Sequence, residues 1–81
     1  MNVYCDTLLE IVGDKAIYTI GSMVSDVTGK IEVNTDTGEY KILKEPDIHP
    51  LYDRAIRSMI GKYLGDMKRG IIPERMSREV G

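Results

Sequence analysis

Phenylalanine and tryptophan are absent from this chain, cysteine and histidine occur once each, and no apolar run exceeds three residues. Each scarcity excludes something. Spanning a bilayer takes roughly 20 consecutive apolar residues, so no membrane partner is expected. A lone Cys5 cannot form an internal disulfide, and the expected setting is a reducing cytoplasm. The opening residues Met-Asn-Val-Tyr-Cys-Asp offer neither a basic n-region nor an apolar h-region, so no signal peptide is expected. Cys5, Asp6 and His49 supply metal-ligand types without ligand spacing, and nothing fixes a Cys5–His49 thiolate–imidazole contact. Gly13, Gly21, Gly29 and Gly38 lie outside any strand–glycine-rich–helix context, so no phosphate loop is read. No catalytic residue, cofactor or metal is therefore expected, and the chain is read as a non-enzyme.

What is present is ordinary for a folded protein. The 81 residues suffice for a single α+β domain spanning 1–81, with a β part over 1–46, a helix within 47–70 and a tail over 71–81. A chain this size buries only about 60% of the surface its unfolded form exposes, so a partner or a second copy would add useful burial. Hydrophobic residues at 42% and charged residues at 30% argue against disorder. Charge is unevenly spread. Residues 1–46 hold four Lys against eight Asp/Glu, a balance of −4, while residues 47–81 hold seven Lys/Arg against five Asp/Glu, a balance of +2. That asymmetry suits electrostatic steering toward a partner.

Alternation of polar and apolar residues organises the first half. Gly13-Asp14 suits a two-residue type II′ turn, since glycine accepts positive φ without steric cost. Such a turn opposes Val12 to Lys15, Ile11 to Ala16 and Leu9 to Tyr18, and assigns Leu9, Ile11, Ala16, Tyr18 and Ile20 to the core face. Residues 23–28 fit a short strand or a loop. Lys30 to Asn34 and Glu39 to Lys44 alternate again. Opposing Thr35 to Tyr40 and Val33 to Ile42 gathers Ile31, Val33, Tyr40 and Ile42 on one side. The fitting turn is Thr37-Gly38 alone or a loop from Asp36 to Glu39, with Asp36 bonding the local backbone.

Pro46 ends the sheet, because proline cannot donate to a ladder. An amphipathic helix is expected over 48–69, capped by Asp47 or started by Pro50 after His49. On a helical wheel Ile48, Tyr52, Ala55, Ile56, Met59, Ile60, Tyr63 and Met67 fall within an arc of about 140°, flanked by Leu51 and Leu64. Asp66 lies inside that arc. Gly70 is placed as the C′ cap, with Lys68 and Arg69 in the last turn where the helix dipole favours cations. In the tail, Ile72, Met76 and Val80 recur every four residues, which fits a short helix or an extended arm. The expected fold is thus a small antiparallel sheet of three to five strands in meander order, one face covered by a C-terminal amphipathic helix.

On the far side of that helix Ser58, Gly61 and Gly65 cluster beside Arg54, Arg57 and Lys68. Interior glycines cost a helix roughly 0.5–1 kcal/mol each relative to alanine, and a small-residue groove lets another backbone approach closely. These six residues are the candidate partner-binding set. The favoured reading is a non-catalytic protein-binding module acting through the outer helix face, the tail or a sheet edge. Its size and charge asymmetry suit an inhibitor or accessory protein of the kind phages and mobile elements encode. A homodimer through the same groove is a further option. The runner-up to protein binding, ahead of the homodimer, is a weak nucleic-acid binder using the basic C-terminal half, where five acidic residues interleave with the cations. The tyrosines, the only aromatics, fall mostly on core faces instead of an open stacking platform.

Overall fold

The computed structural model describes residues 1–80. Six strands and one helix follow in the order β1 (Asn2–Cys5), β2 (Leu8–Val12), β3 (Lys15–Ile20), β4 (Gly29–Asn34), β5 (Tyr40–Lys44), α1 (Asp53–Lys68) and β6 (Met76–Glu79). Strands β2-β3-β4-β5 form an antiparallel meander, and β1 pairs with β6 in a second, two-stranded sheet. The period-two pattern decides which face is dry: Ala16, Tyr18 and Ile20 of β3 and Ile31 and Val33 of β4 are fully buried, while the residues between them within each strand are not. The α+β class and the meander order are as expected from sequence.

The first hairpin forms around Gly13, whose φ is +60° while Asp14 keeps a negative φ, the signature of a type II′ turn. Val12 opposes Lys15 and Ile11 opposes Ala16, as expected. Beyond Glu10 the register shifts at a bulge, so Leu8 and not Leu9 faces Tyr18. One extra residue flips the face of everything before it. Leu8 therefore packs on the core, whereas Leu9 and Ile11, assigned to the core from sequence, are exposed. Ile11 shares the Ala16 side but belongs to the outermost strand.

The second hairpin corrects the expected pairing by two residues. Val33 opposes Tyr40 and Ile31 opposes Ile42, so the loop runs over residues 35–38. Its brace is Asn34, whose Oδ1 accepts from the Asp36 and Thr37 N–H groups at 2.9 and 3.0 Å, rather than Asp36. The face assignment survives, because a two-residue slip preserves which side each residue takes.

Helix α1 begins at Asp53, with Tyr52 at the N-cap and no side-chain cap. The expected start near Asp47 or Pro50 fails for a physical reason. The N–H groups of Asp47, Ile48 and His49 are already bonded to Thr28 and Asp26, and the residue before a proline is driven out of helical geometry. Ile48 and Tyr52 therefore drop out of the apolar stripe and are exposed, while Ala55, Ile56, Met59, Ile60 and Met67 are buried. Gly70, at φ +84°, ends the helix in a Schellman motif: Ile71 N–H donates to the Asp66 carbonyl and Gly70 N–H to that of Met67, both at 3.0 Å. Asp66 is exposed and paired with Arg69.

The tail takes the extended of its two expected forms, as strand β6, so α1 is not the last element. β6 lies antiparallel along β1, with Cys5 opposite Met76 and Asn2 opposite Glu79. Tyr18 donates its hydroxyl to the Pro73 carbonyl at 2.5 Å, fastening the approach to β6 across the core. Val3, Cys5 and Met76 join the residues of β3, β4 and α1 in one core cluster. Tyr4 exchanges backbone bonds of 2.8 and 3.0 Å with Gly21, which ties the small sheet to the end of β3. Among the described residues no helix is long and apolar enough to cross a membrane.

Candidate protein interface

The six residues singled out on the helix lie on its outer side. Arg54, Arg57, Gly61, Gly65 and Lys68 are exposed and Ser58 is half-buried, and a side chain added at Gly61 or Gly65 would meet open space. Arg57 is engaged within the chain. Its Nε reaches both Asp53 carboxylate oxygens at 2.8 and 3.0 Å, and its guanidinium lies over the Tyr40 ring. The Tyr40 hydroxyl donates to Asp53 as well. Burial pushes the Tyr40 phenol up to about 12, and the bond to Asp53 adds to the shift. The Tyr40 and Arg57 bonds together hold the Asp53 carboxyl below its ordinary range. This cluster ties the helix start to β5.

Sequence reasoning missed a more unusual residue. Asp26 is 1% exposed, which is rare for a carboxylate without several donors around it. Its donors come from two loops. Oδ2 accepts from the N–H groups of Ile48 and His49 at 3.0 and 2.7 Å, and Oδ1 from the Thr28 hydroxyl at 2.9 Å. Thr28 Oγ1 in turn accepts from Asp47 N–H, and the Thr28 carbonyl from Lys44 Nζ, both at 2.8 Å. Ser22 donates to the Pro50 carbonyl at 2.9 Å. The His49 N–H, followed by Thr28 and Ile48, lowers the Asp26 pKa against the opposing effect of its burial. An ionised Asp26 therefore staples residues 22–28 to residues 47–50.

The stapled loops hold apolar side chains in water. Val24 is 72% and Ile48 75% exposed, and Met23 and Tyr52 are also exposed. Met1, Met23, Pro50 and Tyr52 line a cleft of about 310 Å³, with Ser22, Asn2 and His49 as its polar members. Gly21 makes this packing feasible, since a Cβ there would sit 2.2 Å from the Asp26 carbonyl oxygen.

Cys5 and His49 do not form a dyad. Cys5 is fully buried in the core, where burial, reinforced by Asp6, pushes its thiol up to about 12. His49 turns Nδ1 toward Asp26 Oδ2 at 3.4 Å. Among the described residues no group of three or more His, Cys, Asp or Glu side chains is placed to hold a metal ion. The only trace of the Asp26 staple in the sequence is the Asp26-Val27-Thr28 spacing, which marks a local turn and not its long-range partners. No protein-family model, curated protein or solved structure matches this chain.

Proposed function

We propose that this chain is a non-catalytic protein-binding module, an inhibitor or accessory protein, that makes its main contact through the two loops stapled by Asp26. One observation carries the reading: a buried carboxylate uses its acceptors to fix loops whose most exposed apolar side chains, Val24 and Ile48, face water. Exposed apolar groups on a rigid scaffold mark binding surfaces, because ordering costs are met before the partner arrives. Met23 and Tyr52 add side chains of the kind enriched at interfaces. The partner would offer an apolar side chain to the cleft between them.

The charge distribution favours a protein partner over a nucleic acid. Arg57 and Arg69, two of the seven C-terminal cations, are committed to Asp53 and Asp66. Burial of Cys5 likewise supports a role without nucleophilic chemistry. The lone cysteine suits a cytoplasmic setting.

The test is retention of host proteins on immobilised chain, read by quantitative mass spectrometry. Three forms are compared: native, Val24→Glu with Ile48→Glu, and Arg54→Glu with Lys68→Glu. The reading expects one host protein retained by the native and helix-face forms and lost from the loop form, with thermal stability unchanged. Loss from the helix-face form alone would move the contact to the outer face of α1.

A further inference from the structure

The outer strands β2, β5 and β6 are not equivalent. The β5 edge carries Lys41 and Lys44, and β6 carries Arg78 and Glu79, the charged side chains that keep sheet edges from pairing. The β2 edge carries a single charge, Glu10, among Leu9, Ile11 and Val12, which are 46, 51 and 55% exposed. The tail closes only its first residue, where Leu8 N–H donates to the Glu74 carbonyl at 3.1 Å. Val12 and Lys15 flank the two-residue turn and so form a hydrogen-bonded pair, which leaves the Ile11 N–H and C=O pointing away from β3.

We infer that this open edge of β2 accepts an extended, basic segment of another protein as an added strand. Main-chain bonds at Ile11 would supply register, and Leu9, Ile11 and Val12 the apolar contacts. Charge chooses the occupant. Asp6, Glu10 and Asp14 are all exposed along this edge, and the cations near it are Lys15, beside Asp14 at 3.4 Å, and Arg75, which shares a surface pocket with Asp6, Leu8 and Glu74. A second copy of this chain would line up Asp6, Glu10 and Asp14 from both copies in one seam, and like charges facing each other across strands destabilise the pair. A strand alternating lysine with valine meets the same carboxylates favourably. The surface is distinct from the loop pair and stands or falls without it.

The experiment titrates isotope-labelled protein with a seven-residue peptide of alternating lysine and valine, its ends blocked, and with the matching glutamate–valine peptide. The basic peptide is expected to shift amide signals of residues 8–13 and to slow exchange of the Ile11 amide by about tenfold or more. That binding weakens with added salt and with Glu10→Lys, persists in Val24→Glu with Ile48→Glu, and is lost in Ile11→Pro, which removes an outward N–H. Glu10→Lys, which leaves the β2–β3 ladder intact, keeps the test decisive if Ile11→Pro fails to fold. No shift at millimolar peptide, equal binding of the glutamate peptide, or shifts confined to β5 would overturn the inference. So would concentration-dependent protection of Ile11 without peptide, which would name a second copy as the occupant.

Discussion

Cys5 and Asp26 are both buried, and their surroundings push them in opposite directions. For Cys5, and for Tyr18, whose phenol burial also raises to about 12, the fold favours the neutral form. Their contribution to stability is complete below the ordinary thiol value of 9.0 and is lost as pH rises through the folded values near 12. Alkaline unfolding followed by circular dichroism should fall in that window, and a thiol reagent at neutral pH should modify Cys5 no faster than the chain opens. Asp26 has the opposite sign. Its carboxyl is lowered from 3.8, so its contribution is present above that value and is lost as pH falls below it. Asp26→Asn should lower the melting temperature near neutrality and flatten its fall in acid. Neither behaviour could be read from the sequence. Burial of Cys5 depends on β6, seventy residues away, and the donors to Asp26 arrive from a segment that resembles a helix start.

Among the elements, periodic patterning carried the faces of β3, β4 and β5 and the register beside the first turn, but not the register of the second hairpin. Ile31, Val33, Tyr40 and Ile42 share a side under the expected pairing and under the observed one, because both keep the same parity. The bulge at Leu9 has no such pattern behind it, and it moved the core position to Leu8. The cap at Gly70 was legible because a positive φ after basic residues is a local requirement. The β6 strand was not, since its apolar spacing also fits a helix and only the free side of β1 decides between them. Of the candidate site, the open helix face was visible in sequence and the stapled loops were not. The glycines separate these roles experimentally. Gly61→Ala should stabilise the chain by roughly 0.5–1 kcal/mol in urea unfolding, since nothing lies within 4 Å of the added methyl. Gly70→Ala should cost about 1 kcal/mol for its left-handed backbone. Gly21→Ala should be far more damaging, as its methyl would meet the Asp26 backbone.

At the scale of the whole molecule, one core cluster draws on β1, β3, β4, α1 and β6. Truncating Met59, fully buried at its centre, to alanine should cost about 2–5 kcal/mol, measured by denaturant unfolding. The ends meet as well. Met1 and Val80 exchange backbone bonds of 2.8 and 2.7 Å, the longest sequence separation in the structure. This contact has a kinetic meaning. The meander can zip through neighbouring hairpins, but the β1–β6 pair must close a loop nearly as long as the chain, and each doubling of loop length costs about 0.6 kcal/mol of closure entropy. That pairing should therefore form after the hairpins. Joining the ends through a short glycine linker would turn the most distant contact into a local one. In stopped-flow refolding the ring should fold faster than the open chain, while its unfolding rate barely changes.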